Sequence, residues 1–234
     1  MSVDRTARVG FVGLGSQGGP MARRIVDAGF PTTLWARRPA SLEPFGDSAA
    51  SVAASPAELG AASDILGICV VDAVVVAEVL RGPDGALAAM ADGSVVIVHS
   101  TVHPETCVRL QEDHPNVQVV DAPVSGGGHK AAARELLVMV GGPVGVVDRC
   151  RPVLETFGDP VLHVGPLGAG QEVKLLNNAV FAAQLALAAE VFALAADRCR
   201  WPGSWRRPAG RGRGRRRGRK PPRRGPAARR TPRC

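Results

Sequence analysis

Six residues near the amino terminus, Gly13-Leu14-Gly15-Ser16-Gln17-Gly18, have the GxGxxG spacing that suits a bound diphosphate. Each glycine answers a different need. Gly13 permits a tight turn, Gly15 lets an anion reach the main chain, and Gly18 allows a helix to pack closely on a strand. An ordinary glycine-rich turn has the same letters. Here, however, an apolar run precedes the loop and a helical stretch follows it, the context that a dinucleotide site requires. The second strand should then end on the group that reads the adenosine ribose. An acid at that point selects NAD, whereas this chain has Ala36-Arg37-Arg38. Two guanidinium groups suit a 2′-phosphate through planar, charge-assisted bonds, so the pattern points to NADP, with NAD possible. Two solvated surface arginines are the bland alternative.

Other reactive residues point to weaker chemistry. Ser125, His129 and Asp121 invite a hydrolase reading, but Pro123 stands where a GxSxG elbow needs glycine. His99 and His103 are four apart with a strand end between them, a poor metal pair. The five cysteines form no CxxC pair, which disfavours a disulfide scaffold or a structural zinc site. Cys69 lies in an apolar run and reads as core. No metal is expected.

The elements that must position these groups alternate along the chain. Ala7–Val12, Thr32–Ala36, Ile65–Val71, Val95–Val98, Val117–Val120 and Leu136–Val140 read as strands. Gly18–Ala28, Ala73–Leu80 and Pro104–Glu112 read as helices. That order implies an α/β fold with a mostly parallel sheet. From Glu172 to Ala196 there are 25 residues without Gly or Pro, 19 of them apolar. A helix with so few polar positions should be buried on most sides. Its most membrane-like part, Ala179–Ala196, is interrupted by Gln184 and Glu190 and is mostly alanine, so a buried helix is favoured over a membrane span. Lys174 and Asn178 share one face of it, one turn apart.

Three further segments, with the glycine loop, carry a resemblance to a known family. His99-Ser100-Thr101-Val102 with Pro104 resembles a DxSTxxP segment, with His99 in place of the usual Asp. Asp121-Ala122-Pro123-Val124-Ser125-Gly126-Gly127 matches DAPVSGG in full. Gly165-Pro166 and Gly168 through Lys174-Leu175-Leu176-Asn177-Asn178 resemble GxxGxGxxxKxxNN. In this order and spacing, over roughly residues 7–197, the chain resembles the β-hydroxyacid dehydrogenases, which include 3-hydroxyisobutyrate dehydrogenases and tartronate semialdehyde reductases. The resemblance implies a Rossmann-type doubly wound sheet over 1–166 and an interdomain helix over 167–197 that begins a helical domain. It implies hydride transfer between a nicotinamide and a short β-hydroxyacid, or its semialdehyde. It also assigns roles. Lys174 would be the catalytic lysine with Asn178 beside it. Ser125, Gly126 and Gly127 would hold the substrate carboxylate. Val70, Val71 and Thr101 would line the nicotinamide half of the site. An imine-reducing relative is disfavoured by the lysine. Lys130 and Arg134 stand where the family usually has glycine.

The formal charge of +8, from 29 basic and 21 acidic residues, conceals a division. Residues 1–197 hold 13 basic and 21 acidic side chains, a net −8, while 198–234 hold 16 basic and none acidic. Six Gly and six Pro with almost no aliphatic side chains leave that tail unable to form the family's helical domain, so it is expected to be disordered. Two origins compete: a shifted reading frame in a GC-rich gene, or a basic arm that binds nucleic acid. The second goes with an alternative function, a non-catalytic nucleotide-binding module. The expectations are completed by a cytoplasmic location, since no signal peptide or membrane segment is read. Homo-oligomerisation is expected of the intact family, and weak turnover of a chain without the helical domain.

Overall fold

The computed structural model describes residues 5–82 and 84–198. The strands are β1 (Val9–Val12), β2 (Thr32–Trp35), β3 (Ser51–Val52), β4 (Ile65–Ile68), β5 (Val95–Val98), β6 (Gln118–Asp121), β7 (Val124–Ser125), β8 (Leu136–Gly141) and β9 (Gly158–Gly165). The helices are α1 (Gly18–Asp27), α2 (Pro56–Ala61), α3 (Ala73–Arg81), α4 (Pro104–Asp113), α5 (Gly127–Ala133), α6 (Val144–Leu154) and α7 (Ala169–Arg198). One sheet contains the strands in the order β3-β2-β1-β4-β5-β6-β8-β7, with β9 paired to β8. The first six in that order run parallel; β8 is antiparallel to β6. Strand order reverses between β1 and β4, which opens a crevice at their carboxyl ends where such sheets bind ligands.

The continuous apolar runs of β1, β4 and β5 follow from burial on both faces, and every residue in them is buried. Alternate side chains feed two cores. Phe11, Ile65, Val95 and Ile97 join Met21, Ala22 and Ile25 of α1 on one side. Val12, Leu66, Ile68, Val96 and Val98 join α2, α3 and α4 on the other. Gly67 has no side chain because the Phe11 ring lies across it, 2.8 Å from where a Cβ would stand.

Helix starts have local causes. Asp72 caps α3 by accepting the Val74 and Val75 N–H groups at 3.0 Å. Ser55 accepts the Glu58 N–H at 3.1 Å while the Glu58 carboxylate takes the Ala54 N–H at 2.7 Å, which closes the first turn of α2. His99 is buried, stacked on Phe11 and edge-on to Phe157, with Nδ1 2.8 Å from the Ala122 carbonyl. That contact requires the proton on Nδ1.

Several expectations need correction. The strand expected over Ile65–Val71 stops at Ile68, because the Val70 N–H turns out of the sheet to the Ser100 Oγ at 2.8 Å. The long helix starts at Ala169 rather than Glu172. It is not buried on most sides: Gln171 and Lys174 are covered, but from Leu175 to Leu185 every side chain is exposed, with Phe181 65% accessible. By length and composition Ala169–Ala196 is apolar enough to cross a membrane. The chain divides after Leu185 into two units, and the sheet with the helices packed on it belongs to the first. The basic tail lies outside the described residues from Cys199 onward.

Burial holds the His99 imidazole near a pKa of about 4, so the folded state resists its protonation. The sign follows from linkage. His99 contributes stability above its unfolded value near 6.5, and that contribution is lost as pH falls toward 4. Chemical denaturation at pH 7 and pH 5 should show a loss of roughly 2 kcal/mol from this residue. The pH dependence should flatten by about that amount in His99→Asn, which keeps a donor for the Ala122 carbonyl.

Candidate active site

The glycine loop occupies the turn between β1 and α1. Gly13 has φ +96°, and a Cβ there would strike the Cys69 carbonyl. A Cβ on Gly18 would strike the Gly13 carbonyl, whereas one on Gly15 would meet nothing within 4 Å. Two glycines therefore let main chain pack on main chain, and the third leaves open space toward a ligand. No side chain caps α1 and its first turn carries no acid, so the positive helix end is free to meet an anion.

A cleft of about 370 Å³ runs from this loop along the carboxyl ends of β1, β2 and β4. Gly13 through Gly18, Arg37, Arg38, Val70 and Val71 all line it, joined by Cys69 and by Glu78 of α3. These residues fit a dinucleotide: unshielded N–H groups at one end and two guanidinium groups at the other. Burial pushes the Cys69 thiol up to about 12, which makes it an inert wall. A larger depression of about 510 Å³ lies across α1, beside Phe45 and Ala132. Its cations are already engaged, Arg23 with Asp27 and Asp47 and Arg24 with the Thr156 carbonyl.

The catalytic candidates are set by a buried network. Asp121, at the end of β6, is fully buried, and its two carboxylate oxygens accept the Gly168 and Gln171 N–H groups at 2.7 Å each. Burial raises its pKa, and the N–H groups oppose that rise. The Gln171 side chain extends the network: Oε1 accepts the Val102 N–H at 3.0 Å, and Nε2 donates to the Ser100 carbonyl at 2.8 Å. Lys174 follows one turn later, 9% exposed, with no carboxylate in ion-pairing range among the described residues. Desolvation alone lowers its pKa from the ordinary lysine value. One turn further, Asn177 Oδ1 accepts the Ser125 hydroxyl across a long 3.4 Å. Gly126 and Gly127 have φ +136° and +79°, conformations that favour glycine. Gly128 packs so closely on the Ser16 carbonyl that a Cβ would collide with it. The carboxylate-binding candidates thus adjoin both the lysine helix and the cofactor loop.

Some sequence candidates stand apart. Thr101 is exposed and does not line the cleft, whereas Val71 lines its rim and is 90% exposed. Asn178 is on the Lys174 face but exposed; its neighbour Asn177 is the one that meets Ser125. The hydrolase arrangement is not formed, because Asp121 is committed to α7 and Ser125 to Asn177. Sequence reasoning missed Asn177, although it is half of the Asn-Asn pair. It also missed Gln171, whose partners lie about 70 residues away.

The chain is similar to known proteins over most of its described length. The profile for the NAD binding domain of 6-phosphogluconate dehydrogenase matches residues 8–165. A 2-(hydroxymethyl)glutarate dehydrogenase of Eubacterium barkeri is 32% identical over 82% of this chain and 64% of its own length. A 3-hydroxyisobutyrate dehydrogenase of Pseudomonas aeruginosa is 34% identical over 80% of this chain and 63% of its own. The crystal structure of a 3-hydroxyisobutyrate dehydrogenase from Salmonella typhimurium is 36% identical, with a TM-score of 0.75 over 82% of this chain and 68% of that one. The chain belongs to the β-hydroxyacid dehydrogenase family. It spans somewhat less than two thirds of these curated relatives. Of the two places where the family usually has glycine, Lys130 lies within α5, while Arg134 takes the left-handed conformation at φ +64°.

Removing the Asp121 charge should loosen α7 from the sheet. Asp121→Ala leaves two buried N–H groups without acceptors and should cost about 2–4 kcal/mol. Urea denaturation measures it; an unchanged midpoint would show that the carboxylate does not hold the helix.

Proposed function

We propose that this chain binds a nicotinamide dinucleotide, with NADP preferred, and serves the interconversion of a short β-hydroxyacid and its semialdehyde. The observation that carries the reading is Lys174: desolvated, without an ion-pair partner among the described residues, and held by the Asp121–Gln171 network beside Ser125 and the Gly126-Gly127 turn. A nicotinamide, when bound, supplies or takes the hydride. The protein residues manage the proton and the orientation.

In reduction, the Lys174 ammonium donates its proton to the substrate carbonyl oxygen; in oxidation, the neutral amine takes the hydroxyl proton back. A lysine in water stays charged near neutral pH, and desolvation moves Lys174 in the direction that proton exchange in both directions needs. The Ser125 hydroxyl and the N–H groups of Gly126 and Gly127 hold the substrate carboxylate, with glycine permitting close approach to the main chain. Asn178, on the Lys174 face, orients the reacting oxygen, and Asn177 sets the Ser125 hydroxyl. The glycine loop takes the diphosphate at the open end of α1. Arg37 and Arg38 favour a 2′-phosphate because no acid stands at the end of β2. Residues 1–166 form the dinucleotide-binding domain in this reading, and 167–197 begin the helical one.

Titration of the purified protein with NADPH and NADH tests the cofactor assignment. Arg37→Ala should weaken NADPH binding about tenfold, the loss of one charge-assisted contact, and leave NADH within about twofold. Equal affinities of the wild type for the two cofactors would contradict the NADP preference.

A further inference from the structure

The arginines at the end of β2 do not face the cleft alone. Glu78 lies on α3, and with Val75 and Val79 it forms the face of that helix that lines the cleft opposite Arg37. Its Oε2 is 3.7 Å from Arg37 Nη1. That distance is too long for a hydrogen bond, so the two groups are joined by charge alone. Both side chains are well exposed, 73% for Arg37 and 60% for Glu78, so little holds them together. Arg38 has no carboxylate in ion-pairing range among the described residues. The two neighbouring guanidinium groups are therefore unequal: Arg38 is unpaired, and Arg37 is shared with an acid that belongs to the same cleft.

An acid at this end of such a cleft ordinarily comes from the second strand and reads a ribose 2′-hydroxyl. Here β2 supplies none, and the carboxylate comes from α3, across the cleft. We infer that Glu78 is a specificity-determining residue, whose carboxylate engages Arg37 and opposes the 2′-phosphate of NADP(H), so that it limits the preference the two arginines create. A 2′-phosphate must draw Arg37 away from Glu78 and then sit near a like charge. A 2′-hydroxyl faces neither penalty. The inference rests on the reading of the cleft as a dinucleotide site, and it concerns selectivity within that site.

The test is equilibrium binding of NADPH and NADH to wild type, Glu78→Gln, Arg37→Ala and the double variant. Calorimetric titration reads binding independently of turnover. Glu78→Gln keeps the side-chain shape and removes the charge. It should tighten NADPH about three- to tenfold, as expected for removing one partly screened like charge, and leave NADH within about twofold. The gain should shrink at about 0.5 M salt, where screening shortens to a few ångströms, and it should be smaller in the Arg37→Ala background. NADPH affinity in Glu78→Gln equal to or weaker than wild type overturns the role of Glu78, with the dinucleotide reading intact. Failure of the wild type to bind either cofactor overturns the dinucleotide reading and this inference with it.

Discussion

The Asp121 carboxylate at the amino end of α7 is the contact on which the site depends. It ends β6, so its position is fixed by the sheet, and its two oxygens take the Gly168 and Gln171 N–H groups. A buried anion there is sustained by oriented donors and by the positive end of a long helix. In return, the helix has a fixed register against the sheet. Gln171 then reaches the loop after β5, Lys174 enters a desolvated position, and Asn177 meets Ser125. The packing tolerates no slack: Gly141 and Gly170 lack room for a Cβ because Asp121 and neighbouring main chain occupy it.

Two helix amino termini thus serve opposite purposes in one sheet. That of α7 is closed by an internal carboxylate and becomes structural. That of α1 has neither a side-chain cap nor an acid and faces the cleft. The same backbone electrostatics anchors the helix bearing the lysine in one place and offers an anion site in the other. Between them, Val70 and Ser100 link the ends of β4 and β5 through a side-chain bond, which keeps the cofactor side and the proton side in register.

The sequence made the chemistry more legible than the wiring. GxGxxG, DAPVSGG and the Lys-x-x-Asn-Asn segment are local patterns, and each one is where chain order placed it. The central strands were readable because burial on both faces leaves unbroken apolar runs. Less regular elements were not. α6 contains Pro152, β9 is an exposed edge strand with Pro160, and α2 is a six-residue helix whose Ser55-x-x-Glu58 start was nonetheless a readable signal. Gln171 was beyond reach, since its partners come together only after the sheet forms. The exposed apolar face from Leu175 to Leu185 reversed the expectation of burial, because composition reports what a helix could bury and not what surrounds it.

The central claim is that this network desolvates Lys174 and thereby tunes it for proton transfer. Lys130, Lys174 and Lys220 are the three lysines of the chain, so each can be resolved after reductive ¹³C-methylation. An NMR titration should show Lys174 losing its proton below the ordinary lysine value near 10.4, and moving back toward that value in Asp121→Asn. A Lys174 that titrates at the ordinary value in the wild type would contradict the account.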